Sequence, residues 1–284
     1  MNNMNKMASK RYAFFGTPYV ARDTLAHLIA AGYTPSVVVA SPDAPRGRGH
    51  YMTPCETKVL AHEHNIPTLT PQVLDEEFRN ALQVYECKYA IVVAYGKIIP
   101  QSIIDMFPQG ILNIHYSLLP KYRGASPVES ALLHNETHTG VAIQRMVYTL
   151  DAGDILAMQS VEIFSNETTR ELRPRLIALG AQLLTEILPS FESNTATFTP
   201  QDHSHATVCK KIKKEDGLLD LVGLATDPLE NWLKYRAYAE SPGTYFFHGD
   251  TRIKIKTATY DGTHFTPLRV VPEGKKEMEY KDWK

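Results

Sequence analysis

The chain has 284 residues, of which 43% are hydrophobic and 21% charged, with 30 Lys and Arg against 31 Asp and Glu. This balance excludes a disordered chain and a protein that coats nucleic acid by net positive charge. The three cysteines are far apart and odd in number, which disfavours a disulfide framework or a cysteine-ligated zinc site. No apolar run approaches the roughly 20 residues that span a bilayer, and the first ten residues lack the apolar centre of a signal peptide. We therefore expect a cytoplasmic protein with no membrane partner.

Apolar runs and helical periodicity alternate through the first two thirds of the chain. The run YAIVVA at 89–94 is apolar on both faces, which is typical of a buried parallel strand. Polar residues rich in Gly and Pro predict a loop at 41–53. The patterns further predict strands at 12–15, 36–40, 111–115, 139–146 and 155–161, and helices around 20–29, 59–62, 128–134 and 167–188. This alternation predicts an α/β domain with a doubly wound, mostly parallel sheet.

The composition changes after the long helix that the pattern predicts. Residues 190–206 are polar and rich in Ser, Thr and Pro, and we interpret them as a linker. A helical pattern near 229–238 and three strand patterns follow, at 244–248, 252–256 and 265–271. We therefore predict three parts: a catalytic α/β domain at 11–189, a linker at 190–206 and a small β-rich domain at 207–284.

The densest group of polar residues begins in the predicted strand 111–115. Strand alternation places Asn113 and His115 on one face, at the carboxyl end of the strand, where α/β folds hold their active sites. An Asn amide can donate a hydrogen bond to a developing oxyanion, and a His can move a proton near neutral pH. Asp151, in the sequence LDAGD, offers a carboxylate that would orient the His. Without an obvious Ser or Cys nucleophile, these residues suggest direct acyl transfer to an amine, although N-x-H alone is most often structural.

Four segments together resemble the signature of the folate-dependent formyltransferases. These are the stretch from Asn113 to Pro127, the sequence LDAGDIL that contains Asp151, FFGTP at 14–18 and AYG at 94–96. The likeness spans roughly residues 11–188.

The resemblance implies both a reaction and a set of site residues. Asn113, His115 and Asp151 would transfer the formyl group of 10-formyltetrahydrofolate to an amine. The residues implied to line the folate are Tyr95, Gly96, Ser117, Leu118, Leu119 and Pro120. The second domain of the family resembles an OB-fold, so an OB-like C-terminal domain is also expected.

The loop at 41–54 resembles the basic insertion of those superfamily members that formylate methionyl-tRNA. Arg46 and Arg48 supply charge directed at phosphates, and the flanking glycines let the loop follow an RNA surface. A surface loop with incidental arginines is the alternative. The resemblance therefore implies that charged initiator tRNA is the partner of this chain, which we expect to act as a monomer.

The start of the predicted C-terminal domain also resembles that of the enzymes that act on methionyl-tRNA. Four lysines lie within five positions there, which makes a patch directed at the RNA backbone plausible, and a solvated linker edge is the alternative. These lysines are Lys210, Lys211, Lys213 and Lys214.

Two other functions stay open at this point. A sugar-nucleotide N-formyltransferase would keep Asn113, His115 and Asp151 without needing the loop of Arg46 and Arg48. A folate- or RNA-binding relative without catalysis is the third possibility, although the intact trio speaks against it. The chain has no GxGxxG or GKS/GKT motif, and no His pair has convincing metal-ligand spacing together with an acidic residue, so we expect neither a dinucleotide cofactor nor a metal.

Overall fold

The computed structural model describes residues 11–46, 49–221 and 227–283, and its described residues divide into two compact units. The first unit contains the described part of Met1–Pro120 together with Val141–Gln159 and Leu176–His205, and the second contains Lys121–Gly140, Ser160–Arg175 and the described part of Ala206–Lys284. These units interleave along the chain, whereas the sequence analysis predicts consecutive domains. The domain boundaries stay a prediction.

The described residues form fifteen strands, most of them short. They are β1 (Tyr12–Gly16), β2 (Val37–Val39), β3 (Ala44–Arg46), β4 (Tyr51–Thr53), β5 (Thr68–Leu69), β6 (Tyr89–Val93), β7 (Ile111–His115), β8 (Arg123–Gly124), β9 (His138–Arg145), β10 (Ile155–Glu162), β11 (Val208–Cys209), β12 (Tyr245–His248), β13 (Thr251–Tyr260), β14 (Phe265–Pro272) and β15 (Met278–Glu279).

Seven α-helices lie between these strands in the described part of the chain. They are α1 (Tyr19–Ala30), α2 (Glu56–Glu63), α3 (Glu76–Gln83), α4 (Gln101–Ile104), α5 (Pro127–Leu133), α6 (Thr169–Glu192) and α7 (Pro228–Ala237). None of the described helices is long and apolar enough to cross a membrane.

The main sheet has seven strands in the order β10-β9-β7-β6-β1-β2-β5. β1 pairs in parallel with both β2 and β6, and β6 pairs in parallel with β7. All residues of these four strands are buried, because helices cover both faces of a doubly wound sheet, and this explains their apolar sequences. β7 pairs with β9 in the antiparallel direction. The predicted α/β class with a mostly parallel sheet is confirmed.

The region predicted as a loop at 41–53 contains a hairpin instead. β3 and β4 pair in the antiparallel direction, with Arg46 opposite Tyr51. Tyr51 and Met52 are 78% and 65% exposed, so the short strands carry no alternation of apolar and polar residues that could identify them. The loop prediction was therefore wrong for these two strands.

Two helices of the first unit were missed. Asp75 caps the N-terminus of α3, because its carboxylate accepts a hydrogen bond of 3.1 Å from the Phe78 amide, so a capping signal was present in the sequence. α4 has only four residues, which is too short for any helical periodicity.

Helix α6 packs against the side of β7 that faces away from Asn113 and His115. A Cβ added at Gly180 would lie 3.1 Å from Ile114 Cγ2 and 3.2 Å from Val141 Cγ1, so the absence of a side chain allows this close approach. Since successive strand residues point to opposite faces, α6 covers the Ile114 face and leaves the other face of β7 to the polar residues.

The second unit holds a four-stranded antiparallel sheet in the order β12-β13-β14-β15. Residues of β13 alternate between the core and solvent. Ile253 and Ile255 are buried, whereas Lys254 and Lys256 are exposed. The core is completed by Leu219, Phe246 and Val270. The predicted β-rich C-terminal part is confirmed.

Replacement of Val38 by Ala tests the packing of the main sheet. The Val38 side chain is fully buried in β2, so its loss removes apolar contacts and leaves a small cavity. We expect the free energy of unfolding to fall by about 1–3 kcal/mol in urea titrations.

The matched control is Val84→Ala, because Val84 is 78% exposed, and we expect a change within about 0.5 kcal/mol there. Equal effects of the two substitutions would contradict the placement of β2 in the core.

Candidate active site

The candidate site lies on one face of β7. The register with β9 places Asn113 directly opposite Gln144 and His115 opposite Ala142. Residues that face each other across an antiparallel pair share a face, so the Asn, His and Gln side chains come together. Asn113 and His115 are only 9% and 5% exposed, which is low for polar groups and indicates that they have partners.

Asp151 reaches this face from the loop that connects β9 to β10. The loop closes at its base, because the Arg145 amide donates a hydrogen bond of 2.8 Å to the Asp154 carbonyl. Asp151 itself has a φ of +48°, a left-handed conformation that Asp tolerates better than most residues. A Cβ at Gly153 would lie 1.7 Å from the Arg145 carbonyl oxygen, so only glycine permits this tight return of the chain.

Asp151 lies close to both of the other predicted catalytic residues, Asn113 and His115. The Asn113 amide donates a hydrogen bond of 3.2 Å from Nδ2 to Asp151 Oδ1. Asp151 Oδ2 lies 3.6 Å from His115 Nδ1. A carboxylate at this distance favours the tautomer that carries a proton on Nδ1 and so helps to set the orientation of the ring. The arrangement can therefore donate hydrogen bonds to a developing oxyanion and move a proton beside it.

Two buried glutamines that the sequence analysis did not single out complete the surroundings of Asp151. Gln144 Nε2 donates a hydrogen bond of 2.9 Å to Asp151 Oδ1. Gln201 Nε2 lies 2.9 Å from the Asp151 carbonyl oxygen and 2.7 Å from that of Gly153. Gln144 sits in a predicted strand, but its position beside Asn113 follows from a strand pairing that no local pattern encodes. Gln201 falls in the segment interpreted as a linker and carried no signal.

The residues implied to line a folate follow the carboxyl ends of two neighbouring parallel strands, β6 and β7. Gly96 is exposed, with a φ of +80° and no atom within 4 Å of an added Cβ. Leu118 and Pro120 are partly exposed, whereas Ser117 and Leu119 are buried.

Tyr95 differs from these residues because its ring belongs to the core. The ring packs edge-on against Phe15, with centroids 5.4 Å apart, and burial raises the pKa of Tyr95 to about 12. Its hydroxyl oxygen is buried and has no hydrogen-bond partner among the described residues. Tyr95 as a whole is only 3% exposed, and its carbonyl oxygen accepts a hydrogen bond of 3.2 Å from the Thr17 hydroxyl.

The residues implied to bind tRNA are only partly described. Arg46 ends β3, but its side chain is not described, and Arg48 lies outside the described residues. In the second unit, the four lysines are all exposed to solvent: Lys210, Lys211, Lys213 and Lys214. Among the described residues, no group of three or more His, Cys, Asp or Glu side chains is arranged to hold a metal ion.

Comparison with known proteins identifies the family. The model of the formyl transferase family matches residues 10–188. The methionyl-tRNA formyltransferase of Chloroflexus aggregans is 42% identical over 249 residues, which cover 87% of this chain and 80% of that protein. The corresponding enzyme of Koribacter versatilis is 36% identical over 294 residues, which cover 95% of this chain and 93% of that enzyme. The enzyme of Thermotoga maritima is 39% identical over 246 residues, which cover 86% of this chain and 78% of that enzyme.

Solved structures share the fold at lower sequence identity. A methionyl-tRNA formyltransferase from Clostridium thermocellum has a TM-score of 0.61 at 13% identity and covers 95% of this chain and 98% of its own. An N-formyltransferase from Helicobacter canadensis, in complex with folinic acid and dTDP-3-aminofucose, has a TM-score of 0.65 at 18% identity. The match covers 88% of this chain and 87% of that chain. HypX from Aquifex aeolicus, in complex with tetrahydrofolic acid, has a TM-score of 0.69 at 15% identity. The match covers 97% of this chain and 47% of the HypX chain.

The structural similarities extend to both tRNA and sugar formyltransferases and therefore describe the fold alone. The sequence identities over most of the chain distinguish the branches, because the similar curated relatives are enzymes of methionyl-tRNA. The chain therefore belongs to the formyl transferase family and, within it, to the methionyl-tRNA formyltransferases.

Proposed function

We propose that this protein transfers the formyl group of 10-formyltetrahydrofolate to the α-amine of methionine on charged initiator tRNA, as a monomer in the cytoplasm. The observation that carries the proposal is that Asp151 lies 3.2 Å from Asn113 Nδ2 and 3.6 Å from His115 Nδ1 on the buried face of β7. Family membership supports the reaction class, and the sequence relatives support tRNA as the carrier of the amine.

In the proposed mechanism, each of the three residues has a distinct role. The methionine nitrogen bonds to the formyl carbon and loses a proton, and the bond from that carbon to the folate nitrogen breaks as this nitrogen gains one. Asn113 and His115 donate hydrogen bonds to the formyl oxygen while negative charge develops on it. Asp151 keeps His115 oriented and stabilises positive charge on its ring.

The surface around these residues fits a folate donor. Main chain is exposed at Ala94 and Gly96, where its polar groups can pair with the N–H and C=O groups of a pterin. Leu118 and Pro120 add partly exposed apolar surface beside the neighbouring strand. We propose that the full set holds the donor: Tyr95, Gly96, Ser117, Leu118, Leu119 and Pro120.

We further propose that basic side chains in two places bind the phosphates of the tRNA backbone. One is the hairpin region that contains Arg46 and Arg48. The other is the exposed lysine group at 210–214, where no acidic residue interrupts the four lysines. In this proposal, 11–189 is the catalytic domain, 190–206 connects it to the small domain, and 207–284 contacts the tRNA through the lysine group at 210–214.

The acceptor can be identified by offering two amines to the protein in parallel with 10-formyltetrahydrofolate. We expect formyl-methionyl-tRNA to form and a dTDP-linked amino sugar to remain unmodified, because the sequence relatives act on methionyl-tRNA. Mass spectrometry of both products is the measurement. Formylation of the sugar alone would support the sugar-nucleotide enzyme, and folate binding with neither product would support the non-catalytic relative.

Substitution of Asn113 or His115 by Ala should slow catalysis without weakening folate binding. Each side chain would act on charge that exists only near the transition state, so we expect kcat to fall by about 10²- to 10³-fold. Folinic acid affinity, measured by fluorescence titration, should change by less than about threefold. Near-normal turnover in both variants would show that the reaction takes place elsewhere.

Removal of the lysine group should weaken tRNA use selectively. With Lys210, Lys211, Lys213 and Lys214 all replaced by Ala, we expect a higher KM for methionyl-tRNA and a weaker dependence of kcat/KM on salt concentration, because fewer phosphate contacts release fewer counterions. The KM for the folate donor should not change.

The double variant Lys276→Ala/Lys281→Ala is the control, because both lysines are exposed and lie outside this group. An unchanged salt dependence in the quadruple variant would exclude these lysines from the tRNA contact.

A further inference from the structure

Two amide side chains hold the Asp151 carboxylate from the side opposite His115. Asp151 Oδ1 accepts hydrogen bonds from Asn113 Nδ2 at 3.2 Å and from Gln144 Nε2 at 2.9 Å. Gln144 is only 1% exposed and lies opposite Asn113 in the β7–β9 register. Because Oδ1 is engaged by two amides, the rotation of the carboxylate is restricted and Oδ2 stays directed at His115 Nδ1, 3.6 Å away.

The Asp151 carboxylate and Gln201 together orient the Gln144 amide. Its Nε2 lies 3.3 Å from Gln144 Oε1, so the oxygen of Gln144 faces Gln201 and its nitrogen faces Asp151. A flipped Gln144 would bring an oxygen against the carboxylate and a nitrogen against the Gln201 donor, and both contacts would be repulsive. Gln201 is itself buried, at 6% exposed, so a second buried amide supports the orientation of Gln144.

Gln201 also holds the backbone of the loop that carries Asp151. The same Nε2 lies 2.9 Å from the Asp151 carbonyl oxygen and 2.7 Å from the Gly153 carbonyl oxygen. The left-handed conformation of Asp151 is a sparsely populated one that needs support from its surroundings. Gln201 thus connects the loop backbone, the Gln144 amide and, through it, the carboxylate.

We propose that Gln144 and Gln201 are positioning residues for formyl transfer: Gln144 orients the Asp151 carboxylate toward His115, and Gln201 orients Gln144 and fixes the loop. This inference rests on the proposed role of Asp151 in catalysis. Neither glutamine is assigned a contact with the folate or the tRNA, so both should affect the rate of the chemical step and leave substrate binding unchanged.

The first experiment measures single-turnover formyl transfer by Gln144→Met and Gln201→Met. Methionine keeps the length of the side chain and removes the amide. We expect each variant to lower the rate by about 10- to 100-fold, as losses of groups that orient a site residue commonly do. The KM values for both substrates and the affinity for folinic acid should stay within about twofold. Gln182→Met is the matched control, because Gln182 is exposed on α6 and its amide donates a hydrogen bond to Glu186, far in sequence from the site residues.

The second experiment asks whether Gln144 acts through Asp151. Glycine at position 151 removes the carboxylate and tolerates the positive φ, so Asp151→Gly can be combined with Gln144→Met in a double-mutant cycle. If the carboxylate is the target, Gln144→Met should not slow the Asp151→Gly protein further. Rates are normalised to the fraction that binds folinic acid, so a partly unfolded variant still reports on the chemistry.

The outcomes distinguish this inference from the proposed function. Slow single variants with no further loss in the Asp151→Gly background would support it. If Gln144→Met slows both backgrounds equally, the residue has a general structural role and the inference is overturned. If the wild-type protein is active and both methionine variants match it, the inference fails while the proposed function stands. A wild-type protein that formylates no methionyl-tRNA would overturn both.

Discussion

The candidate site depends on the antiparallel register between β7 and β9. This register sets Asn113 against Gln144 and His115 against Ala142, so the polar groups share one face of the sheet. The other face meets α6 at Gly180, where a Cβ would lie 3.1 Å from Ile114. A slip of one residue would exchange these faces: the polar side chains would turn into the helix contact, and Ile114 would enter the site. On its other edge, β7 pairs in parallel with the buried strand β6.

The second constraint is the buried carboxylate of Asp151. Its side chain is 10% exposed, and a charge taken out of water needs hydrogen bonds or an ionic partner. Asn113 and Gln144 supply amides to one oxygen, and His115 faces the other. The same contacts that make the burial of the carboxylate tolerable also orient it for catalysis, so stability and the proposed chemistry depend on one set of bonds.

Sequence patterns predict the local part of this site and miss the non-local part. Alternation in 111–115 puts Asn113 and His115 on one face, and the LDAGD motif identifies Asp151. Gln144 was missed because its role follows from pairing between strands that are distant in sequence, which no local pattern encodes. Gln201 was missed because its segment is polar and resembles a linker, and because its main acceptors are backbone carbonyl oxygens. The hairpin of β3 and β4 escaped detection because its exposed side chains follow no alternation.

One measurement tests the role of Asp151 most directly: the single-turnover rate of formyl transfer by Asp151→Asn at saturating folate donor and methionyl-tRNA. Asparagine keeps the shape of the side chain and tolerates the left-handed backbone, but it has no charge to stabilise a cationic His115. We predict a rate lower by about 10²- to 10⁴-fold, with folinic acid affinity unchanged. A rate within about threefold of the wild type would contradict the proposed role of the carboxylate in catalysis.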